Sequence, residues 1–158
     1  RVITSAVMVR RELSELRFPE DIWGSEDWSL WLTLGARYAF AAVNEVLVTM
    51  HQQGDNISSR KGRLYRNDLV VLERLRSDPA VTDDERGMID RLIEERRVGA
   101  LYFSLLAGET REARTLLKQV SIQQIGRRRH LAYRAATHLP PRLLRWIGSA
   151  RLAELATI

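Results

Sequence analysis

"VITSAVMV", residues 2–9, decides which fold class the chain belongs to. It is a short apolar run rich in Val and Ile, interrupted only by Thr4 and Ser5, and it reads as a buried strand. A buried strand needs sheet neighbours, so this reading makes the first part of the chain α/β. Working outward, "RRELSEL" (10–16) reads as a short helix, and "RFPEDIWG" (17–24) as a loop punctuated by Pro19 and Gly24. "FAAVNEVLVTMH" (40–51) reads as one or two strands kinked at Asn44–Glu45. "QQGDNISSRKG" (52–62) is a polar loop whose only large apolar residue is Ile57. Residues 1–60 are therefore expected to form a partial α/β layer with an exposed sheet edge.

After Gly62 the character changes to that of a helix. "RLYRNDLVVLERLRSD" (63–78) carries apolar residues at 64, 65, 69, 71, 72 and 75, and Pro79 ends it. Thr82 followed by Asp83, Asp84 and Glu85 is a helix start, and Gly108 a helix stop. "ETREARTLLKQV" (109–120) reads as a further helix. Leu105 to Glu109 with Ala113, Leu116 and Leu117 resembles one helical hairpin of the tetratricopeptide kind; a single unit makes no solenoid. Pro140 and Pro141 open a last helix, "RLLRWIGSARLAEL". The expected organisation is 1–60 α/β followed by a helical extension over 61–158, with three antiparallel helices between 63 and 125 and helix predominating overall.

Composition narrows the function classes. The 158 residues contain no cysteine, which excludes disulfides and thiolate metal sites. No stretch has the ~18 uncharged apolar residues that span a bilayer. The chain opens on Arg1 without an initiator Met or a signal-peptide layout, so it reads as a piece whose beginning lies upstream. From Gly126 to Ile158 there are seven arginines against one glutamate, a net +6. The whole chain is +5, which leaves −1 for the body. The basic character belongs to the tail, which suits an anionic surface. There is no helix-turn-helix layout and no basic–aromatic sheet, so nucleic acid is not an expected partner.

Candidate chemistry lies in "WGSEDWSLWL", residues 23–32, where Glu26 and Asp27 stand among three tryptophans. One reading is a capped helix: Ser25 accepts from free backbone N–H groups, and two acids sit at the positive end of the dipole. On that reading Trp28 and Trp31, three apart, are core residues. The other reading is a carboxylate with aromatic walls.

"SAVMVRREL" (5–13), "WGSEDWSLWLTLGARYAFAAVNEVLV" (23–48) and "GDNISS" (54–59), in that order, resemble the second half of the catalytic domain of family 2 glycosyltransferases, over residues 3–59. The resemblance implies a GT-A fold and an inverting transfer of a sugar from a nucleotide-sugar donor to a glycan or lipid-linked acceptor hydroxyl, in cell-surface polysaccharide or glycolipid synthesis. It implies Asp27 as general base, supported by Glu26, with Trp23 and Trp28 on the acceptor and Gln53, Asn56 and Ser58 in the donor diphosphate loop. It also implies a divalent cation, Mg or Mn, whose ligands lie mostly upstream of this chain; the chain alone is expected to be inactive. Two positions depart from the family pattern: Ser29 replaces an acid or Asn, and Gln53 replaces a His, with His51 two residues earlier. The implied setting is cytoplasmic, peripheral at the inner face of the membrane. Residues 140–152, with Leu143, Leu144, Trp146 and Ile147 among Arg142, Arg145 and Arg151, would touch an anionic membrane surface there. The alternative function is a helical protein-interaction module of tetratricopeptide-like type, resting on the hairpin at 86–119.

Overall fold

The computed structural model describes residues 4–13, 16–49 and 61–146. Its regular elements are all helical: 3₁₀ turns at Thr4–Ala6 and Arg11–Leu13, then α1 (Glu26–Gly35), α2 (Lys61–Arg76), α3 (Asp83–Ala107), α4 (Thr110–Gln119) and α5 (Ile122–Ala136). A further helical stretch covers 141–146.

The α/β expectation is overturned, because no strand occurs among the described residues. Thr4–Ala6, inside the expected first strand, is a 3₁₀ turn, and Met8 is 99% exposed. The segment 39–49 forms no ladder and leaves Phe40, Val43, Val46 and Leu47 exposed. The physical reason is that a strand owes its stability to a neighbour. A short apolar run with no adjacent strand gains neither ladder hydrogen bonds nor cross-strand pairs. Val7 and Leu13 instead pack against Leu30, Trp31 and Leu34 on one face of α1.

The helices form because their boundaries are chemically marked. Thr82 and Glu85 make a reciprocal capping box: Glu85 N–H donates to Thr82 Oγ1 (3.3 Å), and Thr82 N–H donates to the Glu85 carboxylate (2.8 Å). Gly108, at φ 75°, closes α3 in the left-handed region. There Gly108 N–H donates to Leu105 O and Glu109 N–H to Ser104 O, the 5→2 and 6→1 pair of a Schellman end. Ser121 Oγ accepts from Gln123 N–H at the start of α5, and Gly126 (φ 78°) kinks that helix after its first turn.

α2 and α3 run antiparallel. Gly62 meets Phe103, Gly99 meets Tyr65, Asp68 meets Arg96 and Arg76 meets Asp90, so one number falls as the other rises. The two residues between α3 and α4 fold the next helix back in the same way. The core lies among these helices: Leu72, Leu101 and Leu105 are fully buried, joined by Ala113, Leu116, Tyr133 and Leu144. Each large side chain buried there contributes about 1.5–3 kcal/mol. α1 lies on this bundle, with Trp28, Leu32 and Ala36 against the main core.

Candidate functional site

The Trp23–Asp27 element sits at the start of α1, and a buried polar chain fixes it to the bundle. Ser25 occupies the N-cap position, but its hydroxyl does not cap the helix. It is fully buried and donates to Asp68 Oδ1 on α2 at 2.9 Å. Asp68, itself buried, is ion-paired through Oδ2 to Arg96 Nε on α3 at 3.2 Å. The Arg96 guanidinium lies 5.9 Å from the Trp28 ring and 5.3 Å from the Tyr65 ring. Three helices therefore meet through one carboxylate. Asn67 adds a hydrogen bond from its side-chain amide to Trp23 O. At the far end of α1, Arg37 grips both carboxylate oxygens of Asp78 at 2.9 and 2.8 Å. That guanidinium and the Ala80 N–H, the latter more strongly, hold the Asp78 carboxyl below its ordinary pKa.

With Ser25 turned inward, the two acids take over the work at the helix start. The Glu26 carboxylate accepts from Gly24 N–H. Asp27 Oδ1 accepts from Trp28 N–H at 2.7 Å, and Asp27 Oδ2 accepts from the Thr4 hydroxyl at 3.2 Å. The Thr4 hydroxyl thus sits on Oδ2. Both carboxylates remain partly exposed.

The sequence-derived candidates divide as follows. Trp23 is 44% exposed beside the acids, and Arg63 lies 4.4 Å over its ring. Trp28 is half-buried against the core, with the Arg96 guanidinium 5.9 Å from its ring. Trp31 is core, edge-on to Phe18 at 5.9 Å, and its Nε1 finds no partner among the described residues. Gln53, Asn56 and Ser58, like His51, lie outside the described residues, as do 147–152 of the tail.

Sequence reasoning missed Asp68. A signal was present: it falls four residues after Leu64 and four before Leu72, inside the apolar stripe of α2. A carboxylate there must meet a cation or a donor. Arg96 and Ser25 supply both.

Among the described residues no group of three or more His, Asp or Glu is placed to hold a metal ion. No helix among them is long and apolar enough to cross a membrane. Two open depressions, of about 590 Å³ beside the α3–α4 turn (Arg66, Glu109, Arg111, Thr115) and about 450 Å³ between α2 and α3 (Glu73, Arg76, Asp90, Arg97), do not touch Trp23, Glu26 or Asp27. No family model, curated protein or solved structure matches the chain.

Proposed function

We propose that residues 61–146 act as a helical interaction module, of the tetratricopeptide-like hairpin kind, whose task is to hold and present the Trp23–Asp27 element. The carrying observation is the Ser25–Asp68–Arg96 chain, which spends a buried carboxylate on docking α1 where apolar packing alone would serve. Buried polar contacts of this type specify one geometry more than they add stability. Hydrogen exchange tests the reading. Asp68→Ala should expose the amides of 26–31 to exchange while those of α3 and α4 stay protected. Unchanged protection of α1 would refute the positioning role.

A second reading concerns what the element does, and the hydroxyl on Asp27 Oδ2 favours it. In the intact parent, an inverting glycosyltransferase, Asp27 takes the proton from an acceptor hydroxyl as its oxygen bonds to the anomeric carbon. The bond from that carbon to the diphosphate breaks on the opposite face, and the nucleoside diphosphate leaves. Glu26 holds the Gly24 turn before it, Trp23 offers a ring face to the acceptor, and no step is routed through a metal on this chain. The setting is cytoplasmic and peripheral to the membrane. In the parent, Asp27→Asn should lower turnover about 10²–10⁴-fold with little change in melting temperature. Near-normal turnover would leave the acids as a helix start only.

A further inference from the structure

We infer that the outer surface formed by α5 and the 141–146 helix is a docking face for an anionic lipid bilayer. This inference is independent of the chemistry at Asp27. Between Ala113 and Trp146 the sequence contains eight Arg or Lys and no acid. The structure turns most of that charge outward. On α5, past the Gly126 kink, Tyr133 and Ala136 are buried, while Arg127, Leu131 and Arg134 are exposed, as is His138 just beyond its end. Leu131 is 62% exposed in the middle of that basic stripe. In the 141–146 helix Leu144 is buried in the main core, which fixes the helix rotation. Arg142, Leu143, Arg145 and Trp146 then point out, and Trp146 is 79% exposed. Pro141 packs on the Gly108 turn, and Arg114 donates to Thr137 O at 2.8 Å, so this corner is held rigidly to the bundle. Among the described residues no ion pair engages Arg127, Arg128, Arg134, Arg142 or Arg145.

Charge complementarity selects an anionic partner, and the apolar residues select which one. Leu131 and Leu143 gain nothing from phosphates or base edges in water, but they gain from the acyl boundary of a bilayer. Trp at an interface and Arg against anionic headgroups are the matching anchors. No helix among the described residues is long and apolar enough to cross a bilayer, and the face is placed in the interfacial plane.

The test is co-sedimentation of the whole chain with phosphatidylcholine vesicles, with and without about one third phosphatidylglycerol, at low and high salt. The chain should pellet with the anionic vesicles only and be released by salt. Arg142→Gln and Arg145→Gln should each weaken binding about fivefold. Leu143→Ala with Trp146→Ala, and separately Leu131→Ser, should weaken it several-fold, with circular dichroism confirming unchanged helix in each variant. Absence of binding overturns the inference, and so does equal binding to neutral vesicles. Anionic binding that ignores the Leu and Trp changes, and is matched by duplex DNA, would also overturn it and make the face a general polyanion site.

Discussion

Replacing Asp68 by Ala removes the carboxylate where α1, α2 and α3 meet. Three losses follow. The hydrogen bond from Ser25, to a charged acceptor, is worth about 1.5–3 kcal/mol. The Ser25 hydroxyl, fully buried, is left without that acceptor. Arg96 keeps its charge without its counter-ion, which in a dry interior costs about 3–5 kcal/mol. Its side chain is 29% exposed and lies on two aromatic rings, so water and those rings recover part of this. The total should be about 3–4 kcal/mol, or roughly 10 °C in melting temperature for a chain of this size. Ser25→Ala should cost less, about 1–2 kcal/mol, because Asp68 keeps Arg96. The double variant should cost less than the two singles together by about 1 kcal/mol. Urea unfolding followed by circular dichroism, with the slope checked for constancy, measures all three. If Asp68→Ala costs under about 0.5 kcal/mol, as a solvated surface change does, the three-helix junction is not held in this way.

Other perturbations probe the remaining elements. Thr82→Ala should lose about 1 kcal/mol by opening the capping box, read as a fall of a few degrees in melting temperature. Gly99→Ala places a methyl inside the Tyr65 ring and should cost about 1–3 kcal/mol by prising α2 from α3, visible in the same unfolding curve. Gly108→Ala meets both a positive φ and Pro141 Cβ at 2.9 Å, so it should loosen the 141–146 helix as well as the end of α3, which hydrogen exchange would show. In acid, the Glu85 carboxyl is held low by the Thr82 N–H and then the Thr82 hydroxyl, and Asp78 by the Ala80 N–H and then Arg37. Folded pKa values below the unfolded ones mean stability is full above about pH 4 and is lost as pH falls through the folded values. In alkali the sign reverses for Tyr133. Burial raises its pKa, Arg129 opposing and Tyr102 adding, so stability is full below about pH 10 and is lost as pH rises through the folded value. Melting temperatures that stay flat across both windows would contradict these assignments.

What the sequence could and could not reveal follows the range of each interaction. The Thr82–Glu85 box and the Gly108 stop are completed within six residues, so their letters suffice. The α2 stripe is visible because burial repeats every turn of one helix. The strand readings at 2–9 and 40–51 failed over their described parts, 4–9 and 40–49, because a strand is defined by a neighbour, and an apolar Val-rich run does not name one. The junction at Asp68 was hidden for the same reason: Ser25 lies 43 residues from it in sequence, and each residue alone has an ordinary local explanation.

Ser25 shows how a correct local pattern can mislead about chemistry. Ser followed by two acids is what an N-terminal cap requires, and α1 does begin at Glu26. Yet the serine hydroxyl points to α2; of the free donors in the first turn the Trp28 N–H is met by Asp27, while Glu26 reaches back to the Gly24 N–H before the helix. In the proposed transferase the acids would carry two duties, and the conflict falls on Asp27. A carboxylate whose two oxygens both hold backbone donors offers a substrate hydroxyl fewer lone pairs. Asp27 avoids this by dividing its oxygens, with Oδ1 on the Trp28 N–H and Oδ2 turned to a hydroxyl. The backbone bond fixes the orientation of the group, and the second oxygen keeps a site where one hydroxyl can replace another. Glu26, bound back to Gly24, holds the turn in which Trp23 stands. The pair is therefore asymmetric in structure as well as in proposed role, and exchanging the two residues would preserve the helix start while disordering the hydroxyl site.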